Sequence, residues 1–176
     1  MAGIAKFEKV SFEQFRKDFV HLKKFARSVD VKRIYESIKL PERKTIGSAG
    51  YDFFSPIDFV LWPGHYITIP TGIRCKIDRN WVLKIYMRSG LGFKYALRLA
   101  NGTGIIDSDY YDSDNEGHIM IKLINDSSVM QRIEVNAGDG ISQGLFIPYG
   151  LTVDDHTNGV RNGGFGSTDQ KGVAGD

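Results

Sequence analysis

Hydrophobic and polar residues alternate along most of the chain from residue 30 onward, which is the pattern of short, half-buried β-strands. The predicted strands recur at intervals of about 8–12 residues, the spacing of sandwiches and barrels. Turn sequences such as Pro63-Gly64 and Asn101-Gly102 separate them. The pattern does not alternate strands with helices, which excludes a doubly wound parallel sheet. The predicted strands are 31–36, 57–62, 66–69, 73–77, 81–87, 95–100, 118–124, 129–135 and 141–147.

The N-terminal part follows a helical pattern instead. The apolar residues of one helix face recur at steps of three and four, namely Phe12, Phe15, Phe19, Leu22 and Ala26. Ser11 and Gln14 resemble a capping box at the start of this helix. An apolar face must be buried, so we predict a helix over 11–27 that packs on the β body or on a neighbouring subunit. Residues 1–29 are interpreted as an N-terminal extension.

Composition narrows the setting of the protein. A chain of 176 residues can bury the core of one domain without disulfides, and the lone Cys75 has no partner for one, which favours an intracellular, reducing compartment. We find no apolar run long enough to span a membrane and no signal-peptide pattern. The net charge of +2 divides into +4 on residues 1–29 and −2 on the remainder. This balance indicates neither a nucleic-acid partner nor a membrane surface. The four histidines are interpreted as surface or packing residues.

Candidate chemistry is concentrated in residues 104–111, where Asp107 and Asp109 lie beside Tyr110 and Tyr111. This stretch lies between two predicted strands, so we expect it to form a hairpin. A carboxylate on a hairpin is held more firmly than one on a free loop, which suits a general base that activates water. The alternative is a solvated acidic turn, because Asp, Ser and Gly are common turn residues.

Further stretches are rich in the small, polar and glycine residues that bind phosphate: 49–55, 88–92, 138–143 and 161–168. Together with 104–111, their order and content resemble the five motifs of the trimeric dUTP pyrophosphatases (dUTPases). The resemblance runs from about residue 30 to residue 168. It implies an all-β fold, a distorted jelly roll or β-barrel of the dUTPase-like (β-clip) type, here with an added N-terminal α-helix. The β body would span 30–157, followed by a mobile, glycine-rich tail over 158–176.

The resemblance also implies an activity, the hydrolysis of dUTP to dUMP and pyrophosphate by a homotrimer with sites between subunits. Asp107 matches the residue that orients and deprotonates the water attacking the α-phosphate. Tyr110 matches the ring that stacks on deoxyribose and leaves no room for a 2′-hydroxyl. The residues that match the uracil pocket are Asn101, Gly104, Ile105, Ile106 and Met120.

The remaining motifs match the triphosphate site. The residues that would contact the phosphate chain are Arg88, Ser89, Gly90 and Gln143. In the tail, Phe165 matches the ring that stacks over uracil, and the residues that match the γ-phosphate clamp and its loop are Arg161, Gly166, Ser167 and Thr168. The implied cofactor is Mg²⁺, bound mainly by the phosphates and water, with Asp52 acting on it through water.

The chain departs from the family pattern in three places. Residues 111–116 form an acidic insertion, Gly140 stands where the family commonly has arginine, and Arg161 lies one residue closer than usual to the following glycines. Two alternatives to a dUTPase stay open. A dCTP deaminase would share the fold, but it uses a glutamate where this chain has Lys122.

The second alternative is a regulatory nucleotide sensor that binds a protein partner. The contact would be the helix over 11–27 or the insertion over 111–116. If the helix serves only such a partner, deleting residues 1–28 should leave turnover intact.

Overall fold

The computed structural model describes residues 3–20, 30–128, 131–159, 161 and 163, and most of the regular structure in them is antiparallel β. The strands are β1 (Ala5–Lys9), β2 (Tyr51–Phe54), β3 (Phe59–Leu61), β4 (Tyr66–Pro70), β5 (Ile73–Ile77), β6 (Trp81–Met87), β7 (Leu97–Leu99), β8 (Gly104–Ile106), β9 (Met120–Asn125), β10 (Ile133–Val135) and β11 (Gly140–Pro148). The helices are α1 (Phe12–Phe19), α2 (Val31–Ser37) and α3 (Ser89–Tyr95), with a 3₁₀ turn over Ser108–Asp112. Among these helices, none has the length and apolar character required to cross a membrane.

The strands form small sheets that share one hydrophobic core. Their orders are β2-β11-β6-β8, β4-β9-β7, β1-β5 and β10-β3. Side chains that alternate along the strands fill the interior, and the largest fully buried ones include Phe53, Ile69, Leu83, Leu123 and Ile141. The all-β fold class predicted from the alternation is confirmed.

The predicted strands between residues 57 and 124 and over 141–147 are confirmed with small shifts in their ends. Of the strand predicted over 129–135, residues 129 and 130 lie outside the described residues, and β10 begins at Ile133. The flanks of the predicted hairpin also pair, because Leu97 lies opposite Asn125 in β7 and β9. The intervening β8 joins a different sheet, with Gly104 opposite Ile85 of β6. Residues 104–106 therefore extend the edge of the four-stranded sheet and lead into the 3₁₀ turn that carries the acidic residues.

The strand predicted over 31–36 is wrong, because these residues form α2. Asp30 caps this helix by accepting hydrogen bonds from the backbone N–H groups of Lys32 and Arg33. Val31 and Ile34 are three residues apart and pack together on the core from one helix face. A short segment with this spacing fits both the helical period of about 3.6 residues and the strand period of two residues. Here the Asp30 cap and the packing of Val31 and Ile34 favour the helix.

The N-terminal segment (residues 3–20) is part of the core. β1 pairs with β5, and the Phe7 ring packs against the Phe53 ring with centroids 5.7 Å apart. Ser11 caps α1 as predicted, since its hydroxyl accepts a hydrogen bond from the Gln14 N–H at 3.1 Å. Phe15 and Phe19 are fully buried beneath this helix.

The predicted helix over 11–27 corresponds in the structure to α1 (Phe12–Phe19). Leu22 and Ala26, which were predicted to continue its apolar face, lie outside the described residues.

The acidic insertion over 111–116 binds the N-terminal segment. The Ser11 N–H and hydroxyl both donate to the Glu116 carboxylate, at 2.7 and 2.6 Å. The Tyr111 hydroxyl donates to Glu8 of β1, and the Arg74 guanidinium lies 3.5 Å from the Tyr111 ring centroid. The two segments suggested from the sequence as contacts for a partner therefore contact each other within one chain.

These contacts predict a loss of stability in acid. Burial raises the pKa of Glu116, but hydrogen bonds from Ser11 and the nearby Arg74 guanidinium outweigh it, so the pKa lies below its usual value. A carboxyl with a lowered folded-state pKa stabilises the fold above its unfolded pKa, and this contribution is lost as the pH falls through the folded pKa. Glu116→Gln should therefore cost about 1 kcal/mol of unfolding free energy near neutral pH.

Urea unfolding between about pH 7 and about pH 3.5 checks this prediction. The stability difference between wild type and Glu116→Gln should narrow as the pH falls below about 4.5, because the unfolded wild-type chain then binds a proton at Glu116 before the folded carboxyl does, and it should be smallest once the pH is below the folded pKa as well. The pKa of Asp18 is also lowered, since hydrogen bonds from His118 and Gln14 outweigh the effect of its burial. Asp18 is present in both proteins, so its titration cancels when their stabilities are compared. A difference that does not change with pH would show that the charge of Glu116 contributes nothing.

Candidate active site

A cleft of about 540 Å³ opens where β2, β11 and the start of α3 meet. Asp52, predicted to act on the metal through water, lines this cleft together with the residues predicted to contact phosphate, which are Arg88, Ser89, Gly90 and Gln143. Gln143 lies opposite Asp52 in the β2–β11 pair. Gly50 leaves space for the Gln143 side chain, because a Cβ at position 50 would lie 2.8 Å from the Gln143 amide oxygen.

Arg88 lies at the N-terminal end of α3 and is held by the cleft wall. Its Nε is 3.4 Å from Asp52 Oδ1, and its Nη1 donates to the Gly140 carbonyl at 3.0 Å. A side chain on Gly140 would collide with this guanidinium. The glycine at the position where the family commonly has arginine therefore gives Arg88 its place against the strand.

Among the described residues, the other oxygen of Asp52 has no hydrogen-bond partner. Asp52 is buried, and its Oδ2 atom is enclosed without a donor. An unpaired buried carboxylate oxygen is costly unless a ligand satisfies it, so Asp52 Oδ2 is available to a bound group in the cleft.

Two basic residues of the cleft were not predicted as site residues. Lys44 precedes β2 and Lys94 lies on α3, and both line the cleft with Arg88. Lys94 is four residues after Gly90, which is about one helical turn. Because glycine has a low helix propensity, the sequence did not predict a helix here, and so it did not predict that Lys94 lies beside Gly90. The charge of the two lysines adds to the attraction of the cleft for an anion.

A smaller cavity of about 170 Å³ lies between β8, β7 and β9. The predicted uracil residues Asn101, Gly104, Ile106 and Met120 line it, together with Lys122. A Cβ on Gly104 would lie 3.1 Å from the Ile85 Cβ, so glycine keeps β8 close to β6. Ile105, also predicted for this pocket, has a half-exposed side chain, and only its backbone could serve a base.

Asp107 precedes the 3₁₀ turn, and its carboxylate is 45% exposed. Arg161 bridges both acidic residues there, with Nη2 2.5 Å from Asp107 Oδ2 and Nε 2.9 Å from Asp109 Oδ1. Arg161 was predicted to bind the γ-phosphate, and in this structure it contacts the predicted general base. Phe165, Gly166, Ser167 and Thr168 lie outside the described residues.

Tyr110 is buried below the turn. Its hydroxyl donates to the His118 carbonyl at 2.8 Å and accepts from the Asn115 side chain at 2.8 Å. Burial raises the pKa of Tyr110, so the phenol keeps its proton at neutral pH. The position of the ring is therefore fixed by two hydrogen bonds at its hydroxyl.

Among the described residues, none lines more than one of the phosphate cleft, the small pocket and the surface around Asp107. Within the part of the chain that the structure describes, no group of three or more His, Cys, Asp or Glu could hold a metal ion. An anion cleft and a base-sized pocket on one mostly β chain are features of a nucleotide-binding protein.

Comparison with known proteins identifies the family of nucleotide-binding proteins to which the chain is similar. The dUTPase family model matches residues 36–169. The deoxyuridine 5′-triphosphate nucleotidohydrolase of Lactococcus lactis is 38% identical over 135 residues, which cover 74% of this chain and 88% of that protein. The protein of the same description from Histophilus somni is 37% identical over 157 residues, which cover 82% of this chain and 99% of its own.

Solved structures agree on the fold. The crystal structure of the dUTPase from Streptococcus mutans matches with a TM-score of 0.61 and 29% identity, over 85% of this chain and 98% of that one. A mutant dUTPase of Staphylococcus bacteriophage 80alpha shares the fold with a TM-score of 0.62 and 18% identity, over 92% of this chain and 100% of that one. The chain belongs to the dUTPase family.

Proposed function

We propose that this chain hydrolyses dUTP to dUMP and pyrophosphate, with Asp107 activating the attacking water. The observation that carries the proposal is the small pocket lined by Asn101, Gly104 and Met120, which β8 connects directly to Asp107. A base held in this pocket would place its sugar and α-phosphate near the turn. The half-exposed Asp107 carboxylate can then take a proton from water during in-line attack on phosphorus.

The phosphate cleft supplies the anion contacts. We assign Arg88, the Ser89 hydroxyl, the Gly90 N–H and the Gln143 amide to the phosphate chain, because charge-assisted and backbone donors suit its oxygens. Asp52 holds Arg88 from the side, so the guanidinium is already placed before the nucleotide binds.

Magnesium fits this arrangement as an ion bound mainly by the substrate. Mg²⁺ usually keeps several waters and takes few protein ligands when phosphates are present. The unpaired Asp52 Oδ2 could accept a hydrogen bond from a metal-bound water. A solved structure of the dUTPase from phage phi11 of S. aureus describes a structural Mg(II) ion in that protein. When bound, the ion neutralises phosphate charge and helps to align the leaving group.

The separation of the two cavities supports a homotrimer. The phosphate cleft and the base pocket must serve one nucleotide, yet they share no residue within a chain. A second subunit would bring its pocket and Asp107 to the cleft of the first.

Product analysis with dUTP, dCTP, dTTP and UTP, each with and without Mg²⁺, tests the function. We expect dUMP and pyrophosphate from dUTP with Mg²⁺, and at least about 100-fold less turnover of the other three, because fixed polar groups reject a mismatched base or sugar. Deoxyuridine nucleotides formed from dCTP would overturn the proposal. We do not expect that result, because this chain has Lys122 at the position of the deaminase glutamate. The Lys122 ammonium lies 4.2 Å from the Tyr66 ring centroid. Binding of dUTP without any turnover would support the regulatory-sensor alternative.

A further inference from the structure

We propose that the N-terminal segment is a positioning element of the active site, and that Glu116 and Asp18 set the position of Tyr110 through the links that hold this segment. The inference rests on the proposed function, because it assumes that Tyr110 packs against the deoxyribose. Two separate chains of contacts connect α1 with the Tyr110 hydroxyl and backbone.

The first link runs through Glu116. Both oxygens of its carboxylate accept hydrogen bonds from Ser11, at the start of α1. The Glu116 backbone has a φ of 57°, a left-handed conformation that a residue with a side chain adopts only at a cost. The bonds to Ser11 compensate for this conformation. Without them, the backbone of Glu116 would be free to relax.

Relaxation at Glu116 would reach Tyr110 directly. The next residue, Gly117, also has a positive φ, of 68°, and packs against the Tyr110 backbone. A Cβ on Gly117 would lie 2.7 Å from the Tyr110 carbonyl oxygen, so the two backbone segments are already in close contact. Asn115, on the other side of Glu116, donates its side-chain N–H to the Tyr110 hydroxyl at 2.8 Å.

The second link runs through Asp18 and His118. His118 is fully buried, and its Nε2 accepts a hydrogen bond from the Gly72 N–H at 2.7 Å. Its proton therefore lies on Nδ1, which donates to Asp18 Oδ2 of α1 at 2.5 Å. Gln14 donates to the same Asp18 oxygen at 2.7 Å. The carbonyl of His118 is the group that accepts the hydrogen bond from the Tyr110 hydroxyl.

The two links converge on one phenol. Tyr110 Oη donates to a carbonyl fixed by the Asp18 link and accepts from a side chain next to Glu116. A ring that excludes a 2′-hydroxyl does so by close contact, so a small displacement admits the ribonucleotide. Loss of either link should therefore reduce the preference for dUTP over UTP more than it reduces the turnover of dUTP.

The test compares kcat/KM for dUTP and UTP in wild type, Glu116→Gln, Asp18→Ala and the double variant. Alanine is used at position 18 because an asparagine oxygen could still accept both hydrogen bonds that Asp18 Oδ2 receives. Glu116→Gln is near-isosteric, which limits the risk of unfolding, and Ser11→Ala provides a milder variant of the first link. Each single variant is expected to lower the dUTP-to-UTP ratio by roughly ten-fold, mainly by raising kcat/KM for UTP. Tyr110→Phe removes the shared hydroxyl, so adding Glu116→Gln to it should cause little further loss of the ratio.

Tyr35→Phe is the matched control. The Tyr35 hydroxyl donates to the Val10 carbonyl at 2.7 Å, so this variant loosens the same N-terminal segment from α2 without removing a hydrogen bond of either link. It should lower the melting temperature without changing the dUTP-to-UTP ratio. If the link variants also lower only stability, the attachment is merely structural and the inference is wrong. If wild type itself does not hydrolyse dUTP, the proposed function fails first, which is a different result.

Discussion

Replacing Asp107 by Asn is expected to lower kcat for dUTP by about 10³-fold while the affinity for the nucleotide changes only a few-fold. General-base catalysis contributes about 10²–10⁴ to a rate, and an amide of the same shape cannot accept the proton of the attacking water. The Asp107 side chain is half-exposed and makes no contact that holds the core, so the variant should fold normally. Single-turnover kinetics with dUTP and calorimetry with a non-hydrolysable imido analogue would measure the two effects separately.

Asp109→Asn is the matched control for this prediction. Asp109 lies on the same turn and binds the same Arg161 guanidinium, at 2.9 Å, so the substitution makes the same charge change beside the same cation. Its kcat should stay within a few-fold of wild type. Equal losses in both variants would show that the contact with Arg161 matters and that proton abstraction by Asp107 does not. A near-normal rate in Asp107→Asn would disprove the assignment of the base.

The sequence allowed the fold class and most strands to be predicted because alternation of period two is a local signal. The same signal failed at Val31–Ser37, where a segment of seven residues fits a helix as well as a strand. It also missed β1, β2, β8 and α3. α3 contains two glycines within one turn, and its helical form depends on packing against its surroundings rather than on propensity.

The candidate site could be predicted residue by residue but not in its arrangement. Motif resemblance located Asp52, Arg88 and Gln143, and these do line one cleft. It could not indicate that Arg161 contacts Asp107, or that Glu116 binds Ser11, 105 residues earlier in the chain. Such pairs depend on tertiary packing, and neither partner carries a local sequence signal for the other.

Removing the N-terminal segment is expected to abolish folding, whereas a chain lacking residues 1–28 would keep its turnover if the helix served only a protein partner. Val10, Phe15 and Phe19 are each about 1% exposed or less, and β1 covers β5. Loss of one buried Phe costs about 3–5 kcal/mol, while a whole domain is stable by only about 5–15 kcal/mol. A protein without residues 1–19 should therefore be insoluble or unfolded by circular dichroism.

A point substitution makes this prediction quantitative. Phe15→Ala should lower the unfolding free energy by about 3–5 kcal/mol in urea, because it leaves a cavity beside Phe19, Tyr35 and His118. Phe12 is the matched control, since it lies on the same helix but is only partly buried against Tyr35. Phe12→Ala should cost about 1 kcal/mol. Equal effects of the two substitutions, or a truncated protein that hydrolyses dUTP at the wild-type rate, would mean that the segment is an appendage and that the core is complete without it.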